Sequence, residues 1–265
     1  MRTLDPVHTD ELVKAYTEAL RLLSTSSIPF MIGGAYGLVR YLEVERETKD
    51  LDVFVCPADV HRTLSFFQER GYRTELTYPH WLGKIYCGPG FIDVIFSSGN
   101  SIARVDADWF THARDGEVLG IPVKLCPPEE MIWSKAFVQE RERFDGADVM
   151  HLIYQFGEGL DWQRLIDRFG VHWRVLFGFV VMFGFVYPDQ RHRVPHWVVE
   201  RLTARFLHEQ SDDPVRICNG TLLSREQYLY DVIVRGYQDA RMIPPAQMKP
   251  EELEIWTAAI GEHDE

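Results

Sequence analysis

Two short runs constrain any fold this chain can adopt. Asp50-Leu51-Asp52-Val53-Phe54-Val55 and Phe91-Ile92-Asp93-Val94-Ile95-Phe96 both alternate in the manner of strands. Successive side chains of a strand point to opposite faces. Leu51, Val53 and Val55 therefore share one face, while Asp50 and Asp52 share the other. In the second run Ile92, Val94 and Phe96 face one way and Asp93 the opposite way. If the two strands are neighbours in one sheet, three carboxylates converge on its open face and the apolar residues line the core. Three such groups repel one another and lose hydration, so the cluster makes physical sense around cations. Hard oxygen donors with nothing soft nearby suit Mg²⁺ or Mn²⁺. Left alone in its apolar run, a buried Asp93 would destabilise the chain by roughly several kcal/mol.

Gly33-Gly34 stands about one helix before the first acidic run, and the stretch from Ala35 to Tyr41 reads as that helix. A helix amino end offers unpaired N–H groups and partial positive charge, which suits a phosphate. Glycine there lets backbone approach a ligand that a Cβ would hold off. Arg46, Thr48 and Lys49 crowd the Asp-x-Asp. A cation among them can neutralise triphosphate charge, or Arg46 can pair with Glu43, Glu45 or Glu47 on a solvated loop.

These elements, Gly33-Gly34-Ala35-Tyr36, then Arg46-Glu47-Thr48-Lys49-Asp50-Leu51-Asp52, then Asp93, resemble the nucleotidyltransferase superfamily related to DNA polymerase beta. The spelling is most similar to small bacterial members, toxins of toxin–antitoxin systems among them, and the resemblance spans residues 28–155. It departs from many antibiotic-modifying members, which carry Ser where Gly34 stands. Any contact of that kind must then come from backbone N–H or from Tyr36.

The resemblance implies a mixed small sheet with flanking helices, two metal ions held by Asp50, Asp52 and Asp93, and an NTP substrate. The triphosphate would lie against Gly33, Gly34, Arg46, Thr48 and Lys49. Similar proteins also place a lysine on the first helix after the sheet, reaching the phosphates, and Lys135 in Trp133-Ser134-Lys135-Ala136-Phe137 matches it. Arg141, Arg143, Asp145 and Asp148 follow in the order of a late element that closes the site. The plainer account is that Lys135 snorkels and the later charges pair at a helix end.

With 265 residues the chain can hold one large domain or two modest ones. A net charge of −12 argues against a broad, sequence-blind nucleic-acid surface and slightly favours a small or cationic acceptor. Cys56, Cys87, Cys126 and Cys218 are scattered without metal or disulfide spacing, which reads as reduced thiols in a cytoplasm. The amino-terminal run through Asp5, His8, Asp10 and Glu11 has no apolar core, as in a chain without a secretory leader. The apolar segment Val175 to Val186 is short of the roughly 20 residues a membrane helix needs and reads as a buried core helix.

The pattern predicts an α+β catalytic domain over residues 1–125 and an all-helical domain over residues 126–265, hinged at Cys126-Pro127-Pro128. Gly88-Pro89-Gly90 predicts a hairpin joining Leu82–Cys87 to Phe91–Phe96. Residues 116–125 read as one edge strand interrupted by Pro122. In the second half, helices are predicted over 131–143, 147–156, 161–169, 173–185, 194–209, 224–237 and 250–260.

The expected function is Mg²⁺-dependent transfer of an NMP group from an NTP to an acceptor hydroxyl, with release of pyrophosphate. The acceptor is an RNA end, a protein or a small molecule, and a toxin-like role would add a cognate antitoxin. The alternative is a non-catalytic nucleotide- or partner-binding module that keeps the fold. The intact trio of acids argues against that module. A metal-dependent glycosyltransferase with its own Asp-x-Asp is disfavoured by the Gly-Gly helix and by the absence of a long parallel βαβ half.

Overall fold

The computed structural model describes residues 10–42, 50–209 and 215–258. The chain divides into two compact units, Met1–Pro127 and Pro128–Glu265. The first is built from α1 (Asp10–Thr25), β1 (Met31–Ile32), α2 (Gly34–Leu42), β2 (Asp50–Phe54), α3 (Val60–Gln68), β3 (Arg73–Tyr78), β4 (Leu82–Cys87), β5 (Gly90–Ile95), α4 (Ala107–His112), β6 (Arg114–Val118) and β7 (Ile121–Leu125). Its seven strands form one mixed sheet in the order β3-β4-β5-β2-β1-β7-β6. β2 and β5 run parallel, as do β1 and β7, and the remaining neighbours are antiparallel.

One face of this sheet is the core. Leu51, Val53, Ile85, Ile92 and Val94 are buried on it. Tyr16, Leu20 and Leu23 of α1 and Leu64 and Phe67 of α3 are buried in the same core. Two close approaches fix these helices on that face: a Cβ on Gly83 would meet Leu64, and one on Gly90 would meet Leu12 and Tyr16. The Tyr16 hydroxyl also donates to the Phe91 carbonyl at 2.9 Å. The opposite face carries Asp50, Asp52, Lys84, Tyr86, Phe91 and Asp93, all half-buried.

The predicted hairpin is present, with Cys87 opposite Gly90. Gly88 supplies the positive φ at the first turn position and Pro89 the fixed negative φ at the second, the II′ pattern that matches strand twist. A second hairpin replaces the single strand expected over 116–125. Leu119 and Gly120 both take positive φ and turn β6 back along β7. Leucine rarely adopts that conformation, so the turn left little trace in the sequence. Pro122 stands in β7 opposite Glu117.

The second unit comprises α5 (Pro128–Ala136), α6 (Gly146–Phe156), α7 (Trp162–Phe169), α8 (Trp173–Val186), α9 (His196–His208), β8 (Ile217–Cys218), α10 (Leu229–Ile233), β9 (Gln238–Asp239) and α11 (Pro250–Ala258). It is mainly helical, with one short parallel pair, β8 with β9. Two predicted helices are cut short by tertiary hydrogen bonds. The one expected over 131–143 stops at Ala136, because Gln139 N–H donates to the Leu223 carbonyl and the Glu140 carboxylate accepts from Ser224 and from Arg225 N–H. The helix expected over 224–237 survives as the five residues of α10.

α7 and α8 together form a 25-residue helical run, Trp162–Val186, which by length and composition alone could cross a membrane. Gly170, at φ 49°, marks the break between them. Although α8 is apolar on all sides after Arg174, it buries one stripe, Trp173, Leu176, Phe179, Val180 and Phe183, and leaves Phe185 84% exposed. It is thus a half-buried helix where a fully buried one was expected.

Buried charge pins the helices of this unit. The Glu130 side chain is fully enclosed and pairs with Arg164 and, at 3.1 Å, with Arg168. Arg164 also reaches Glu129 at 2.8 Å. Burial nevertheless wins over the two guanidinium groups and raises the Glu130 pKa. Removing one cation from such a set strands a buried carboxylate. Arg164→Met should therefore destabilise the protein by about 3–5 kcal/mol in urea unfolding, and by less at acid pH, where Glu130 takes up a proton.

Candidate functional site

Strand register assembles the acidic cluster. β2 and β5 pair in parallel with Asp50 opposite Phe91 and Asp52 opposite Asp93. Because side chains alternate, this register delivers Asp50, Asp52 and Asp93 to one face. One ligand oxygen from each carboxylate lies within 4.8 Å of the other two. Oxygens bound to a Mg²⁺ at 2.0–2.1 Å stand roughly 3 to 4.2 Å apart, so small side-chain rotations close this set on a metal. The donor set is all oxygen, as a hard cation requires.

Gly34 begins α2 at this spot, with φ 53°. A Cβ built on it would fall 1.5 Å from Asp52 Oδ2, so the backbone and the carboxylate share a space that only glycine leaves open. Gly33 N–H donates to the Asp52 carbonyl at 3.2 Å, which ties the glycine turn to β2. Gly37 N–H closes the first helical turn on the Gly33 carbonyl at 2.8 Å. The amino end of α2 and its partial positive charge thus lie against the acidic cluster. At the far end of the same face Phe54 stacks on Trp109 of α4, with ring centroids 5.7 Å apart.

Arg46, Thr48 and Lys49 lie outside the described residues. Lys135, on α5 of the second unit, has strong partners of its own: its ammonium group lies 2.8 Å from both Asp145 and Asp148. Arg143 adds a third cation–carboxylate contact, 3.1 Å from Asp145. Burial pushes the Asp145 carboxyl up, but Lys135 and Arg143 outweigh it and hold the pKa down at about 2. Cys56, Cys87, Cys126 and Cys218 are free thiols, and burial pushes Cys87 up to about 12, which makes it unreactive.

Sequence reasoning passed over Lys84. It stands opposite Asp93 in the β4–β5 hairpin, with Nζ 3.8 Å from Asp93 Oδ1 and 3.8 Å from the centre of the Phe91 ring. The signal was present. A two-residue turn at Gly88-Pro89 fixes the register, and counting back from Cys87 opposite Gly90 puts Lys84 beside Asp93.

No family model and no curated protein matches the chain. Among solved structures it is similar to the solution structure of the antibiotic-resistance factor ANT(2'')-Ia, at 17% identity over 74% of this chain and 93% of that one, with a TM-score of 0.39. It is similar to the lincosamide antibiotic adenylyltransferase LnuA bound to lincomycin, at 15% identity over 56% of this chain and 98% of that one, TM-score 0.39. A third is an antigenic nucleotidyltransferase-like protein from Paracoccidioides brasiliensis, at 15% identity over 66% of this chain and 94% of that one, TM-score 0.34. At these TM-scores the likenesses carry no argument about what the chain does, and its own residues must.

Two outcomes follow from the geometry. Gly34→Ala must displace the Asp52 carboxylate and strain the turn, and should cost about 1–3 kcal/mol of stability together with Mn²⁺ affinity, read by calorimetry on the folded variant. The Asp145 pKa lies below its unfolded value. Its pairing therefore adds about 2 kcal/mol above roughly pH 4, and this is lost as the pH falls toward 2. Lys135→Met should flatten that acid limb in a pH series of urea unfolding curves.

Proposed function

We propose that the chain is a metal-dependent nucleotidyltransferase, which moves an NMP group from an NTP to an acceptor hydroxyl and releases pyrophosphate. The observation that carries this reading is the coincidence of three convergent carboxylates with a glycine turn that Asp52 itself keeps free of any side chain. Three acids at a hydrogen-bonding register fit a metal centre, and a helix amino end beside them fits a triphosphate.

In this mechanism Asp50 and Asp52 would hold the cation that grips the triphosphate and would share a second, on the acceptor side, with Asp93. Divalent ions bound there would neutralise phosphate charge and lower the pKa of the acceptor hydroxyl. Gly33 and Gly34 let the phosphates come up to the backbone at the head of α2. Asp93, on the acid-bearing strand farther from the glycine turn, takes the proton of the attacking hydroxyl. The hydroxyl oxygen bonds to the α-phosphorus, and the bond to the β-phosphate oxygen breaks with its electron pair leaving on pyrophosphate.

Asp52→Asn and Asp93→Asn should each lower Mn²⁺ affinity and pyrophosphate release by at least about 100-fold, while the variants melt near the wild-type temperature. Pyrophosphate release is followed with each NTP and a panel of RNA, protein and small-molecule acceptors. A folded variant that retains near wild-type release would remove these acids from the chemistry. NTP binding with no release from any acceptor would make the chain a nucleotide-binding module instead.

A further inference from the structure

Building on the transfer reading above, we infer that Lys84 is a tethered competitor for the cation at Asp93. It is a positioning residue that acts through Asp93 and makes divalent-ion binding there depend on the nucleotide.

Strand pairing brings the lysine to this place. Lys84 stands opposite Asp93 in the antiparallel β4–β5 ladder, so the two side chains leave the sheet on the same face. The ammonium group lies 3.8 Å from Asp93 Oδ1 and 3.8 Å from the centre of the Phe91 ring. Both neighbours favour a positive charge, the carboxylate directly and the ring through its negative face. The lysine and aspartate side chains are 17% and 13% exposed, so solvent screens the pair poorly. On its other side Lys84 stands opposite Glu75 of β3, whose carboxylate accepts the Tyr86 hydroxyl at 2.8 Å. An acid across each ladder and a ring beside it keep the ammonium charge at the edge of the three-carboxylate cluster.

That position conflicts with a metal ion. Magnesium binds a carboxylate oxygen at about 2.1 Å, so an ion on Asp93 Oδ1 would come within about 6 Å of the Lys84 ammonium group. The other oxygen of the same carboxylate is only slightly farther away. A single and a double positive charge at that separation weaken ion binding about 10-fold even at the dielectric of water. Anchoring of Asp93 by the lysine works the other way, because a held carboxylate loses less freedom on taking an ion. That gain is only about 2-fold to 3-fold for one short side chain. Repulsion wins.

A triphosphate shifts the balance. Its negative charge suits the amino end of α2, which lies against Asp52, and offsets the repulsion between the lysine and an ion on Asp93. By linkage the dependence is mutual. Nucleotide strengthens ion binding at Asp93, and that ion strengthens nucleotide binding by the same factor. Asp50 and Asp52 are on β2, with β5 between them and the lysine on β4, so an ion on that pair feels the ammonium charge less.

The test is calorimetry of Mn²⁺ binding to the full chain, alone and with a saturating non-hydrolysable NTP analogue. Lys84→Gln should tighten the weaker Mn²⁺ site about 10-fold without nucleotide and by less than about 3-fold with the analogue. Lys84→Arg keeps the charge and should bind Mn²⁺ as the wild type does. In an Asp93→Asn background, Lys84→Gln should change Mn²⁺ affinity by less than about 2-fold, since the lysine then has no ligand to compete for. Lys84→Met is a second neutral variant, and circular dichroism identifies which variants are folded. Unchanged or weaker Mn²⁺ binding in a folded neutral variant would overturn the inference and leave Lys84 a plain fastener of Asp93. Two Mn²⁺ sites of equal affinity in the nucleotide-free wild type would overturn it as well. If Lys84→Gln tightens Mn²⁺ as expected but no protein binds the analogue, the transfer reading falls and competition at Asp93 is upheld. Mn²⁺ bound by neither wild type nor variant would take down both.

Discussion

Mutual repulsion among Asp50, Asp52 and Asp93 is the constraint around which the first unit is arranged. One oxygen of each lies within 4.8 Å of the others, close enough for like charges to repel. The fold meets this load with oriented charge. Lys84 stands across the ladder from Asp93, and α2 turns its positive end toward Asp52. Both set positive charge beside the acids, the arrangement on which the proposed transfer draws.

The parts of the fold that were legible in the sequence are those where local pattern and tertiary demand agree. The alternation in residues 50–55 and 91–96 set the burial of every side chain in β2 and β5, because a half-buried strand has only two faces to assign. The Gly88-Pro89 turn was equally clear, since few residues accept its dihedral angles. The turn at Leu119-Gly120 was not, because its left-handed leucine looks like any other core residue. Residues 137–143 read as helix on propensity, yet backbone groups at Gln139 and Glu140 find partners elsewhere, and those bonds outweigh a small intrinsic preference. Lys84 was legible but passed over. Hairpin register alone assigns the lysine to one of the acids.

Ionic contacts serve different ends in the two units. In the second, Glu130 with Arg164 and Arg168, Asp145 and Asp148 with Lys135, and Asp239 with a fully buried Arg241 hold helices and loops at fixed angles. Each of those carboxylates pairs with at least one cation, Asp145 and Asp148 sharing Lys135. In the first unit Lys84 pairs with Asp93 at the edge of a cluster of three acids.

The parallel match of Asp52 with Asp93 has a bearing on how this protein could change over time. Strand parity ties the reactive groups and the hydrophobic layer to the same odd-and-even count, so losing or gaining one residue anywhere from Gly90 to Asp93 would turn the acid inward and an isoleucine or valine outward. Inheritance of the site through such indels is thereby closed off, and variation is steered toward the loops, where length can drift without touching that parity.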